Sequence, residues 1–160
     1  MQHYQHPPLQ GRRTIRLLQL EPTRSLAAPI KCILQEISLD ANPRYEAISY
    51  SWDGQASNQE VLCSGRPLLV TLNAALVLRY LREPKQPRWV WIDSICINQN
   101  DMQEKTGQVR MMREIYSKAA EVLLWIREST KTSVSALRAI SSKAKLEARP
   151  KKQRKISYIP

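Results

Sequence analysis

Short runs of alternating apolar and polar residues fill the first half of the chain, and helical spacing appears only later. Thr14-Ile-Arg-Leu-Leu-Gln-Leu20 reads as a first strand, stopped by Glu21-Pro22 because proline has no N–H for the ladder. Ile30–Leu39 alternates imperfectly and reads as a second strand, with Asp40-Ala-Asn-Pro43 turning the chain after it. Tyr45–Trp52 is an aromatic-rich third strand broken at Asp53-Gly54, and 60–64 and 67–70 bracket Gly65-Arg66 as a hairpin. Thr71 caps a helix over Leu72–Arg82 in which eight of the first ten residues are apolar, so it is buried on more than one side. In the strand over Arg88–Asp93, Trp89 and Trp91 fall on one face and Val90 and Ile92 on the other, the pattern of a strand covered on both sides. A helix near 101–119 follows, with an apolar stripe at Val109, Met112, Tyr116 and Ala119, and Glu121–Ile126 is the last strong strand. Beyond it, Ser133–Ala148 fits an amphipathic helix and Arg149–Lys155 a solvated basic tail.

This succession predicts an α/β fold with a β-rich lead-in. At 160 residues the chain has room for one domain with a real core. Three parts are expected: a flexible N-terminal segment over 1–13, a folded body over 14–126, and a helical then basic tail over 127–160. Net charge sharpens that division. Residues 1–126 hold 15 Lys and Arg against 12 Asp and Glu, whereas residues 127–160 hold 10 against 2. The basic character therefore belongs to the tail. Seven Lys and Arg against one Glu over 143–155 confine any nucleic-acid contact to that stretch, and a solvated tail or localisation signal is the plainer reading. Cys32, Cys63 and Cys96 are an odd set without close spacing, which fits a reducing compartment better than a disulfide framework. The first residues carry no apolar signal segment, and no apolar run approaches the roughly 20 residues of a membrane span. A cytoplasmic protein is expected.

Candidate chemistry gathers at two strand ends. Asp93, Asn98, Gln99, Asp101 and Glu104 converge where a hydrophobic strand meets a polar loop and the mouth of a helix. In open α/β sheets ligands bind outside the carboxyl ends of strands. Ser49, Tyr50, Trp52 and Asp53 end another strand, and their hydroxyls and indole suit a planar ligand. Were the two strands neighbours, both polar ends would face one crevice. Each residue also has a purely structural reading. Asp101-x-x-Glu104 matches a capping box, Asp93 can satisfy loop amides, and Cys96 between two isoleucines is a packing residue. The only histidines, His3 and His6, lie in the N-terminal segment, which argues against a histidine-based catalytic pair in the core. Neither a zinc-ligand spacing nor a Gly-rich phosphate loop is present. Carboxylate chemistry is what remains.

The same blocks carry a resemblance. Tyr45-Glu-Ala-Ile-Ser-Tyr-Ser-Trp, Trp91-Ile-Asp-Ser-Ile-Cys-Ile-Asn-Gln, Gln108-Val-Arg-Met-Met-Arg-Glu-Ile-Tyr116 and Val122-Leu-Leu-Trp125 resemble the fungal heterokaryon incompatibility (HET) domain over about 45–126. The resemblance fades after Ile126, which leaves 14–126 as a whole or truncated HET domain. It implies a cytosolic fungal module of non-self recognition and cell death, distantly TIR-like. That relation implies a flavodoxin-like, mostly parallel sheet flanked by helices. It also implies NAD as a substrate rather than a cofactor, with Glu104 as the catalytic glutamate and Ser49, Trp52 and Asp93 lining the pocket. A carboxylate would stabilise oxocarbenium-like charge at the ribose, as in glycoside hydrolysis. Partners implied are further copies of the chain or other incompatibility proteins. The alternative is a non-catalytic signalling or self-assembly module, or a truncated remnant, acting through protein–protein binding.

Overall fold

The computed structural model describes residues 2–52, 54–125 and 155–159, so the helix read over Ser133–Ala148 and the basic stretch 149–154 lie outside the described residues. Eight strands form one sheet: β1 Thr14–Leu20, β2 Lys31–Ser38, β3 Glu46–Tyr50, β4 Gln59–Cys63, β5 Arg66–Val70, β6 Arg88–Trp91, β7 Glu121–Trp125 and β8 Lys155–Ile159. Their spatial order is β5-β4-β2-β1-β6-β3-β7-β8. Among the described residues three α-helices accompany them: α1 Leu72–Leu81, the single-turn α2 Asp93–Cys96, and α3 Met102–Lys118.

The sheet is mixed, which corrects the mostly parallel expectation. β1 runs antiparallel to both β2 and β6, and β4 is antiparallel to β5, while β2–β4, β3–β6, β3–β7 and β7–β8 are parallel. The β-rich lead-in thus joins the same sheet instead of standing apart. It does so because β1 is apolar on both faces: Ile15, Leu17, Leu18 and Leu20 are all buried, and a strand dry on both sides needs a neighbour on each edge. Within the parallel half, the order β6-β3-β7-β8 places the first strand in sequence between the second and third. That reversal is a topological switch point. β8, which begins at the last residue of the stretch read as a basic tail, closes this edge, and its Ser157 hydroxyl donates to Glu121 on β7.

Local chemistry fixes the element ends. Ser64 and Gly65, at φ 51° and 74°, turn the β4–β5 hairpin, one residue earlier than the sequence predicts. Positive φ at both central positions gives the strand twist that a two-residue hairpin needs. The Thr71 side chain caps α1 by accepting from the Ala74 N–H at 3.2 Å. Asp101 caps α3 by accepting from Gln103 and Glu104, both at 3.0 Å. The helix is regular from Met102 and continues through Gly107. Its inward stripe keeps Met112, Tyr116 and Ala119 of the one predicted and loses Val109. Gln108 and Ile115 are buried and Met111, Met112 and Tyr116 half-buried, whereas Val109 is 51% exposed. Placing Gln108 inward is favoured because its amide donates to the Thr14 carbonyl at the start of β1. Trp91 and Tyr116 meet edge to face, seating α3 on β6.

Candidate functional site

β3 and β6 are adjacent and parallel, so the two polar strand ends do converge. The Trp52 indole N–H donates to Asp93 Oδ1 at 3.3 Å, and the Ser94 N–H donates to the same oxygen at 2.7 Å. The Tyr50 hydroxyl donates to Ser94 Oγ, while Ser49, half-buried, follows Ile48, whose carbonyl accepts from the Tyr116 hydroxyl at 3.1 Å. Gln99 turns back and donates to the Asp93 carbonyl at 3.0 Å, leaving its own Oε1 buried with no hydrogen-bond partner. Asn98 Oδ1 accepts from the Asn100 N–H at 3.2 Å, forming the turn before α3. Asp53 lies outside the described residues. Beyond it, Gly54 at φ 63° and a Gln55 N–H to Trp52 carbonyl bond of 2.9 Å bring the chain back toward α1.

Asp93 is half-buried, and that desolvation raises its pKa above the ordinary carboxylate value despite the hydrogen bonds from Ser94 and Trp52. A carboxyl group shifted up by burial beside an indole, at the carboxyl end of a central strand, is a recognisable candidate site. Trp52 is 38% exposed and leaves ring surface open to a ligand.

Glu104 stands in a different environment. Arg16, in the middle of β1, reaches it with both terminal nitrogens, Nη1 to Oε1 at 2.5 Å and Nη2 to Oε2 at 2.9 Å. The side chains are only 3% and 8% exposed. The Asn98 N–H adds a third bond to Oε1 at 2.7 Å. Burial acts to raise the Glu104 pKa, but the bonds and charge of Arg16 and the Asn98 amide outweigh it, so the pKa lies below the ordinary value. Glu104 is therefore a committed anion. The capping box is only half formed: Asp101 does cap α3, but Glu104 reaches back to Asn98 instead of the Asp101 N–H.

Arg16 carries the structural message that sequence reading misses. It also donates to the Cys96 carbonyl at 3.1 Å and to the Pro7 carbonyl. The N-terminal segment, read as loose, has no regular element before Thr14 but is tied down as a strap. Tyr4 N–H donates to Pro67 at 2.8 Å, and His6 Nε2 lies 2.8 Å from the Ile95 carbonyl. A lone arginine amid the apolar residues of β1 was the available signal, since a buried charge demands a partner. Between strap and α3 runs an open groove of about 570 Å3, bordered by Pro8, Leu9, Gln103 and Met111. Among the described residues no His, Cys, Asp and Glu cluster is placed to hold a metal, and no helix is long and apolar enough to cross a membrane.

Comparison with known proteins places this geometry in context. A family model described as heterokaryon incompatibility protein (HET) matches residues 45–158, which corrects the expectation that the resemblance fades after Ile126. Heterokaryon incompatibility protein 6, OR allele, from Neurospora crassa is 35% identical over 140 residues. That alignment covers 79% of this chain and 21% of the relative, so the chain corresponds to about a fifth of that protein. No solved structure matches.

Proposed function

The chain belongs to the heterokaryon incompatibility (HET) family, and from that premise we propose that it acts in fungal non-self recognition through a ligand crevice at the carboxyl ends of β3 and β6. The observation carrying this reading is the meeting of Asp93 and Trp52 across two parallel strands beside the switch point. The strand order β6-β3-β7-β8 supports a flavodoxin-like, TIR-like reading of the parallel half. The ligand class we assign is a nicotinamide nucleotide. An exposed indole face favours a planar cationic ring by stacking and cation–π attraction, and a carboxylate beside it stabilises positive charge developing at the ribose. Asp93, not Glu104, is the carboxylate facing that ligand in this proposal. Glu104 positions the loop from behind.

A second reading, a non-catalytic module working by self-association, draws its support from the pairing of Glu104 with Arg16, which leaves that glutamate no free oxygen for chemistry. One experiment separates the two. The folded protein is incubated with NAD, released nicotinamide is measured beside Asp93→Asn and Glu104→Gln, and oligomeric state is followed by light scattering. Release abolished by Asp93→Asn supports the crevice. Absence of release and of NAD binding, together with concentration-dependent assembly, replaces it with the second reading. Growth of hyphae expressing the wild type or Asp93→Asn then links the crevice to incompatibility.

A further inference from the structure

The three cysteines differ in their surroundings. Cys32 on β2 and Cys63 on β4 are register partners in a parallel ladder, so their side chains leave the sheet on the same face. Neighbouring strands lie about 4.8 Å apart, inside the roughly 4.4–6.8 Å between Cα atoms that a disulfide spans. The register and shared face place the two thiols side by side. Both are buried, yet Cys63 precedes the exposed Ser64-Gly65 turn, and what lies over it is the half-buried Tyr4 of the strap. Cys63 collects donors from the Cys32 thiol, the Ser64 and Tyr4 side chains and the Leu34 N–H, and these outweigh its burial to hold its pKa below the ordinary thiol value. Burial, followed by the charge of Cys63, pushes the Tyr4 hydroxyl up to about 12, so it remains a donor at neutral pH. Cys96 offers the contrast: its burial pushes it to about 12, and its sulfur accepts from the Ile92 N–H in the sheet core.

We propose that Cys32 and Cys63 are a peroxide-sensitive pair that closes into a disulfide and loosens the N-terminal strap. The Cys63 thiolate attacks hydrogen peroxide, breaking the O–O bond and giving a sulfenic acid and hydroxide. The Cys32 sulfur then attacks the Cys63 sulfur, its proton leaving with the sulfenic oxygen as water. Two thiols lose two electrons, and one peroxide becomes two waters. Peroxide is neutral and water-sized, so it passes the edge of the strap without unfolding the sheet. The new bond removes the thiolate that Tyr4 donates to, which weakens the anchor at that end of the strap.

The test treats the folded full chain with equimolar hydrogen peroxide, alkylates remaining thiols in denaturant, and maps peptides by mass spectrometry. Cys32 and Cys63 are expected joined with loss of two hydrogens and reversed by dithiothreitol, with Cys96 alkylated. Hydrogen exchange over residues 2–12 is expected to quicken several-fold on oxidation. Cys63→Ser, which keeps an acceptor for Tyr4, is expected to show neither response. Both thiols remaining alkylatable, Cys63 advancing to sulfinic acid without a cross-link, or a cross-link with unchanged exchange would each overturn the proposal. The mapping needs only the wild type, so it decides the matter even where a variant fails to fold.

Discussion

Arg16→Leu isolates the contribution of the buried clamp. In the wild type the guanidinium and the Glu104 carboxylate share two charge-assisted bonds of 2.5 and 2.9 Å and are 3% and 8% exposed, so solvent screens them little. Removing the arginine leaves a carboxylate buried with only the Asn98 N–H for company. Breaking one side of such a pair costs about 3–5 kcal/mol, which for a chain of this size lowers Tm by about 10 °C. The Cys96 and Pro7 carbonyls lose a donor as well, at about 1 kcal/mol each if neither is rescued by water. The double variant Arg16→Leu, Glu104→Leu removes the orphaned charge, so it should be at least about 2 kcal/mol more stable than the sum of the two single losses implies.

The assay is urea unfolding of wild type, both single variants and the double, with an unchanged m-value required before energies are compared. At pH 4 the penalty of Arg16→Leu should shrink, since protonation of Glu104 then relieves the unpaired charge. Additivity within about 0.5 kcal/mol would show that the two residues do not act as a unit. A loss below about 1 kcal/mol for Arg16→Leu would show that water replaces the guanidinium, and the clamp reasoning would fall.

Two further outcomes follow from the geometry. His6 is held below its ordinary 6.5 by burial, so the unfolded chain takes up a proton first; stability is complete above pH 6.5 and falls as pH drops toward the folded-state value. Glu104, also lowered in the fold, adds a second loss below pH 4.5, opposed by Asp93, whose raised pKa favours the fold on acidification; stability against pH for wild type, His6→Asn and Glu104→Gln checks the two steps. Thr71→Ala removes the α1 cap and should cost about 1 kcal/mol in the same urea assay, with Thr71→Ser recovering most of it.

Strands and helices were legible where the apolar period was clean. β1 lies over the residues that its alternation marks, and α1 begins after the Thr71 cap. The side-by-side placement of β3 and β6 was foreseeable only as a condition, because pairing across 44 residues is set by the sheet and not by local spacing. The antiparallel β1–β6 contact was not legible at all, since a strand apolar on both faces announces burial without naming its neighbours. α3 misled for a specific reason. Apolar periodicity points to Val109, but the amide of Gln108 has a backbone acceptor at Thr14, and that bond helps turn the helix so that a polar residue faces inward. Asp93, Trp52, Tyr50 and Gln99 were named as candidates from their place at strand ends, and the structure brings them together. The partner of Glu104 was missed because it lies 88 residues away on the strand least suspected of chemistry.

The block Trp91-Ile-Asp-Ser-Ile-Cys-Ile-Asn-Gln99 gains a physical meaning from these contacts. From behind, Arg16 holds the Cys96 carbonyl, His6 contacts the Ile95 carbonyl, and Glu104 takes the Asn98 N–H. Within the block, the Ile92 N–H donates to Cys96 Sγ, and Gln99 closes the turn on the Asp93 carbonyl. Ile95, Cys96 and Ile97 are all buried, so the backbone has little freedom to relax. In front, Asp93 presents its carboxylate to the Trp52 indole N–H. The arrangement explains why a glutamate at the mouth of a helix and an aspartate at a strand end are not interchangeable here. Glu104 fixes the loop that carries Asp93. Loosening Glu104 should therefore disturb the crevice through the position of Asp93, lowering affinity for a ligand there. Replacing Asp93 should remove the charge while leaving the clamp, and hence stability, nearly intact.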